Sequence, residues 1–218
     1  MITYQDIKNN ENIRIYIEKA DRSLKALGFT EHSFAHVTKC AEVSGYILQK
    51  LGYSERTVEL AKIAGFMHDI GNLVNRVEHS QSGAVMAFRI LDKLGMDAGE
   101  IAEIVTAIGN HDEGTGVPVS PLAAALILAD KSDVRRSRVR CDESEFDIHD
   151  RVNYSVESSE LKVSDDLKTI GLSIEVNSDI SPVMSYFEIF LERMLMCNKA
   201  AEALGLKFSF SMNGQQMI

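Results

Sequence analysis

Six apolar stripes with helical spacing, most of them closed by a glycine, fill the first 140 residues and leave room for little besides a helical bundle. Ile13, Ile17, Ala20, Leu24 and Leu27 recur at helical intervals and stop at Gly28. Val37, Cys40, Ser44, Ile47, Leu48 and Leu51 form the second stripe, stopping at Gly52. Ser54 is placed to cap the third, which carries Val58, Leu60, Ala61, Ile63, Ala64 and Met67 and runs into His68-Asp69-Ile70-Gly71. Val85, Phe88, Leu91 and Leu94 make the fourth, ending at Gly95, and Ile101, Ile104, Val105 and Ile108 the fifth, ending at Gly109. After a Gly-rich loop, Ser120-Pro121 pairs a capping serine with a proline at the first helical position and opens the sixth, through Leu126 to Asp130. Only three prolines occur in 218 residues, so long helices run unobstructed.

The period changes near residue 141. Val152, Tyr154 and Val156 alternate with polar residues, as do Ile170, Leu172, Ile174 and Val176, and period two predicts half-buried strands. Ser181-Pro182 begins a long helix through Phe187, Phe190, Leu191, Met194 and Leu195 to Gly205, with the methionines at 184, 194 and 196 expected in the core. Phe208, Phe210 and Met212 predict a last short strand, and the final six residues a loose polar tail. The expected fold is mainly α: a helical core over residues 1–141 and a small α+β region over 142–218.

Charge divides along the same line. Residues 1–141 hold 17 basic and 18 acidic side chains, and residues 142–218 hold 6 and 14, so nearly all of the net charge of −9 lies in the last third. That balance argues against long nucleic acids, which select a positive footprint. An acidic surface on the last third is expected to serve oligomerisation or a partner. No apolar run reaches the 18 or so residues of a membrane helix, and the N-terminus shows no signal-peptide pattern. Cys40, Cys141 and Cys197, odd in number and widely spaced, fit free core thiols in a reducing cytoplasm.

Five of the six histidines lie between positions 32 and 111, mostly at the ends of the helical stripes. His68-Asp69 closes an apolar helix, and His111 stands in Asn110-His111-Asp112. Neutral imidazole beside carboxylate is a donor set for divalent first-row metals and Mg²⁺. A lone His-Asp pair is equally a helix C-terminal histidine favoured by the helix dipole.

The wider pattern resembles the HD-domain metal-dependent phosphohydrolase superfamily, which spaces one His, then a His-Asp pair, then a distant Asp at a helix end. Here these are His36 in AHVTKCA, His68 and Asp69 in AGFMHDIGN, and Asp130 in LILADKSD, covering roughly residues 30–140. The resemblance implies an HD-type helical bundle with these four residues on one divalent ion. His79 in HSQSGA and His111 in AIGNHDEGTG look like the additions of the dinuclear branch, most like diadenosine-tetraphosphate hydrolases and less like cyclic-dinucleotide phosphodiesterases. Asp69 would then bridge two ions, with His79 and His111 on the second. One or two ions per chain are expected, with Mn, Fe, Mg, Ni, Co and Zn all compatible. His32, one helical turn before His36, resembles the proton-donating His of the mammalian-type cyclic-nucleotide phosphodiesterases, and its bland alternative is a solvent-facing residue at a helix start.

The pattern breaks after His-Asp-Ile-Gly. Many relatives place a phosphate-facing Lys there, and this chain has Asn72, with Arg76 a turn further on as a replacement. Five basic residues fall between Lys131 and Arg140. Arg135 or Arg138 is the expected phosphate ligand and the others a solvated helix end. Asp112 and His149 read as surface residues, and Glu113 as a supporting residue near the site. The implied activity is metal-dependent hydrolysis of a phosphate ester or anhydride of a small nucleotide. The alternative is a regulatory module that binds metal or nucleotide without turnover.

Overall fold

The computed structural model describes all 218 residues. Nine α-helices and a four-stranded sheet follow in the order α1 (Tyr4–Asn9), α2 (Glu11–Ala26), α3 (Phe34–Lys50), α4 (Glu55–Met67), α5 (His79–Lys93), α6 (Ala98–Gly109), α7 (Pro121–Lys131), α8 (Ile148–Ser155), β1 (Val156–Val163), β2 (Thr169–Val176), α9 (Val183–Ala203), β3 (Lys207–Met212) and β4 (Gln215–Gln216). Single 3₁₀ turns lie at Ile70–Leu73, Arg136–Arg138 and Glu143–Glu145. The fold is mainly α with a small C-terminal α+β region, and no helix is long and apolar enough to cross a membrane.

The helix starts are set locally. Ser33, Ser54, Asp97 and Ser120 each accept a hydrogen bond from a backbone N–H of the first turn that would otherwise lack a partner. α7 is the axis of the bundle: every residue from Leu122 to Ala129 is buried, as expected of a helix apolar on all sides. α3, α4, α6 and α9 pack around it. Gly65 of α4 lets that helix approach α3, since a Cβ there would stand 2.7 Å from the Ala41 backbone. One apolar cluster runs from Tyr4 to Met212, so the bundle and the C-terminal region share a core.

The sheet order is β1-β2-β3-β4. β1 pairs antiparallel with β2, β2 parallel with β3 across α9, and β3 antiparallel with β4. Ile170, Leu172 and Ile174 of β2 and Phe208, Phe210 and Met212 of β3 face the core at period two.

Four expectations are corrected. Residues 152–155 are helical, because Asp147 and Asp150 form a reciprocal capping box that starts α8, and the strand begins only at Val156. On α5, Val85 and Phe88 point outward at 69% and 51% exposure, whereas Gly83, Ala84, Ala87 and Leu91 face inward. Small residues there let α5 approach the His68–Leu73 turn. Met184, Leu191 and Leu195 are exposed on α9, and Met194 and Met196 are buried. The tail is not loose: Asn213 and Gly214, both at positive φ, turn the chain so that Gln215 and Gln216 pair with β3. The three cysteines are free.

Candidate metal centre

The ends of α3, α4, α5, α6 and α7 meet at one point. His36 comes from the first turn of α3, His68 and Asp69 from the end of α4, and His79 from the start of α5. His111 follows α6, and Asp130 lies in the last turn of α7. All four imidazoles are at most 2% exposed, and Asp69 is 5% exposed. Polar groups this deep require partners.

The imidazoles are oriented alike. Nδ1 of His36 faces Asp133 Oδ2 at 2.8 Å, that of His68 faces the Gly65 carbonyl at 2.8 Å, that of His79 the Arg76 carbonyl at 3.1 Å and that of His111 the Ile108 carbonyl at 2.6 Å. Each Nδ1 meets an acceptor, which fixes the ring and turns Nε2 inward. The four Nε2 atoms converge: His36 Nε2 lies 3.3 Å from His68 Nε2, and His79 Nε2 lies 3.1 Å from His111 Nε2. Nitrogens this close need a cation between them, a proton or a metal ion.

Asp69 stands between the two pairs. Its Oδ2 is 3.5 Å from His36 Nε2 and 3.3 Å from His68 Nε2, while its Oδ1 is 3.4 Å from His79 Nε2. Oδ2 is buried with no hydrogen-bond partner. Asp130 Oδ1 faces the first pair, 3.3 Å from His36 Nε2. Burial penalises the Asp69 carboxylate, but the imidazoles of His68 and His36 outweigh it and hold it well below the usual carboxylate range. Burial likewise opposes the Asp130 charge, and Lys131 and His36 overcome it. An orphaned anionic oxygen beside inward-facing imidazole nitrogens fits a divalent cation. Cys40 Sγ also lies 3.7 Å from both His36 nitrogens and groups with His36, His68 and Asp130, and burial pushes its thiol up to about 11 in the metal-free chain.

Gly71 permits the convergence by its size and not by a left-handed turn. A Cβ there would stand 1.9 Å from the His79 carbonyl oxygen. Asn72, where many relatives have Lys, is buried and donates from Nδ2 to Asp69 Oδ1 at 2.9 Å, so it orients the carboxylate. Arg76 Nη1 lies 3.2 Å from His79 Nε2.

The basic segment after α7 is not a solvated helix end. Lys131 is 4% exposed, bound to Asp130 Oδ2 at 2.7 Å, and Arg138 is 4% exposed. Arg135 stands apart from the centre: its nitrogens go to Asp133 Oδ1, Ser137 Oγ and Glu31 Oε2, which leaves it a structural and not a phosphate-facing residue. Arg140 pairs with Asp21. His32 donates from Nδ1 to the Thr30 carbonyl at 2.7 Å, and burial, reinforced by Arg138, pushes its pKa well below the ordinary value. Asp112 is no remote surface residue, since its Oδ1 lies 3.9 Å from His79 Nε2. Glu113 joins Lys131 at 3.3 Å to Arg193 of α9 at 2.6 Å.

The sequence reading missed two residues here, Asp133 and Arg193. Asp133, fully buried, was legible as a carboxylate one helical turn after Asp130. Arg193 carried no signal, because tertiary packing alone brings α9 to α7. A small cleft lined by His32, Arg76, Lys131, Arg138 and Arg193 opens onto Asp69, His79 and Asp130.

Residues 33–135 match the HD domain family, in which divalent metals are bound. The protein MJ1020 of Methanocaldococcus jannaschii is 23% identical over 201 residues, covering 81% of this chain and 76% of its own length. A crystal structure of a predicted HD superfamily hydrolase from an uncultured Thermotogales bacterium superposes with a TM-score of 0.45 at 25% identity, covering 57% of this chain and 67% of that one.

Proposed function

We propose, from the HD domain matched over residues 33–135 and the centre it contains, that this chain is a metal-dependent phosphohydrolase acting on a phosphate ester or anhydride of a small nucleotide. One observation carries this reading: two pairs of inward-facing imidazole Nε2 atoms flank a single carboxylate, one oxygen of which is buried without a partner. His36, His68, Asp130 and Asp69 Oδ2 would hold one ion, and His79, His111 and Asp69 Oδ1 a second. This supports the dinuclear branch that includes diadenosine-tetraphosphate hydrolases.

When bound, divalent ions supply Lewis acidity and acidify the water they carry. The chain supplies the rest. Arg76, Arg138, Lys131 and Arg193 line the cleft beside the carboxylates and can hold non-bridging phosphate oxygens. His32 lies at the same cleft with Nδ1 committed to Thr30, so Nε2 is the atom left to act. Its imidazole is neutral in the free protein. An arriving phosphate dianion favours the charged form by proximity, so His32 takes a proton from solvent on Nε2 as substrate binds and passes that proton to the leaving oxygen.

Elemental analysis of the purified protein beside His68→Ala tests the metal reading: about two ions per chain, lost in the variant, are expected. The activity is tested with a nucleotide panel that includes diadenosine polyphosphates, together with bis(p-nitrophenyl) phosphate. Metal-loaded protein that hydrolyses none of them overturns it.

A further inference from the structure

Beside the cationic cleft lies a second cavity of about 300 Å³, within the size range of small-molecule sites. The two share His32, Arg76, Arg138 and Arg193, so the cavity begins where a phosphate would end. Its remaining walls differ in character. Leu27 and Phe29, on the loop between α2 and α3, are 66% and 41% exposed and line it, with the Arg76 guanidinium 5.7 Å from the Phe29 ring centre. Apolar groups left in water beside a cavity offer a surface for a ring. α8 contributes Asp150 and Asn153, at 8% and 5% exposure, with Asp147 at its N-cap.

These α8 groups are acceptors with capacity to spare. Asn153 spends its Nδ2 on the His149 carbonyl, which leaves Oδ1 for the cavity. Asp150 receives the Asp147 N–H and the Cys141 thiol on Oδ2, and Asp147 receives the Asp150 N–H on Oδ1, so each carboxylate keeps an oxygen free of these contacts. The cavity is therefore graded, with arginines at the metal end, an apolar flank at Phe29 and uncommitted acceptors on α8. That grading suits a molecule with an anionic end, a flat ring and several hydrogen-bond donors.

We infer that this cavity seats the leaving group and selects a nucleoside by its ring and its amino or hydroxyl donors, with Phe29, Asp147, Asp150 and Asn153 as the specificity-determining residues. The inference rests on the phosphohydrolase reading for the identity of the anionic end. The donor-rich end is assigned from α8 alone. It also gives the C-terminal region a part in substrate choice, since α8 and α9 build most of the wall that the helical core leaves open.

The test uses two probes that cannot be hydrolysed, adenosine and inorganic phosphate, titrated into the full-length protein loaded with Mn²⁺. Adenosine binding is expected to weaken at least about 10-fold in Asp150→Asn and in Phe29→Ala, with phosphate affinity unchanged. Asp147→Ser, which keeps a capping side chain on α8, is expected to weaken adenosine in the same sense and guards against misfolding of Asp150→Asn. Failure of wild-type protein to bind adenosine overturns the inference, as does equal adenosine binding in wild type and all three variants. Absence of phosphohydrolase activity with adenosine binding intact would instead overturn the reading of the reaction while sparing the pocket.

Discussion

His36 donates from Nδ1 to Oδ2 of Asp133 at 2.8 Å, joining the first turn of α3 to the segment just beyond α7 across 97 positions of sequence. Asp133 is fully buried and also meets Lys39 at 2.9 Å and Arg135 at 3.0 Å. Asp133→Asn therefore releases the orientation of a ligand and leaves two half-buried cations short of a partner. Metal affinity is expected to fall roughly 10–100-fold, and stability by about 3 kcal/mol. Isothermal titration with Mn²⁺ and denaturant unfolding measure the two effects, and unchanged affinity would remove Asp133 from any role in positioning His36.

The two-ion reading divides the centre. His79 faces His111 and Asp69 Oδ1, while His36 and His68 face Asp69 Oδ2 and His36 also faces Asp130. His79→Ala or His111→Ala is expected to lower metal content by about one ion per chain and leave the other in place. Loss of all metal in either variant, read by mass spectrometry of the intact native protein, would show a single site instead.

Removal of the proposed proton donor affects leaving groups unequally. For His32→Ala, kcat on an alkyl or nucleoside phosphate is expected to fall by roughly 10²–10⁴. Hydrolysis of an aryl ester, whose leaving oxygen needs little protonation, is expected to fall far less. Metal content should not change. Equal losses on both substrate types would place His32 in binding or packing rather than proton transfer.

Close packing at Gly71 is a steric demand. With the His79 carbonyl oxygen 1.9 Å and the Gly83 nitrogen 2.4 Å from a built Cβ, Gly71→Ala must push α5 away from the turn after α4. A cost of about 3 kcal/mol is expected, along with weaker metal binding because His79 moves with α5. Gly114→Ala, which meets nothing within 4 Å, is the control. Thermal unfolding of the two variants side by side decides the matter.

Acid stability should depend on Glu31. Burial raises its pKa, but the Ser33 hydroxyl and the Arg135 guanidinium outweigh burial, and the folded value lies below the ordinary 4.5. A depressed carboxylate contributes stability that is fully present above about pH 4.5 and is lost as pH falls through the lower folded value. Glu31→Gln is expected to be less stable at neutral pH and to show a shallower loss as pH falls below about 4.5. Parallel pH profiles for the two proteins would contradict this.

The parts of the molecule legible in sequence were those set by local chemistry. Ser54 and Ser120 mark helix starts because their hydroxyls satisfy the first-turn N–H groups, and α7 was recognisable from the Ser120-Pro121 pair that opens it. His36, His68, His79, His111, Asp69 and Asp130 were named because their spacing resembles that of the HD-domain phosphohydrolases, where donor chemistry alone left the His68-Asp69 pair undecided, and the structure brings all six together. Arg135 and Arg138 could not be told apart: both follow Asp130 in a basic run and both bond Glu31 and Asp133, and only the fold shows that Arg138 lines the cleft while Arg135 does not. α8 was misread because the alternation of Val152, Tyr154 and Val156 matches a strand, while the Asp147–Asp150 capping box that decides the matter is a local contact of two acidic residues. The cavity beside the centre had no linear signature, because its lining comes from the loop after α2, from α8 and from α9.

α9 is fixed at both ends, running from the end of β2 to the start of β3, two strands that lie side by side and parallel in one sheet. Between those anchors its inner face rests on α7. A rod pinned in this way bends or slides as a whole more readily than it yields at one turn. Arg193, near its middle, heads a line of ion pairs through Glu113 and Lys131 to Asp130. The helix that joins two strands of the C-terminal sheet thus also braces the carboxylate at the end of α7.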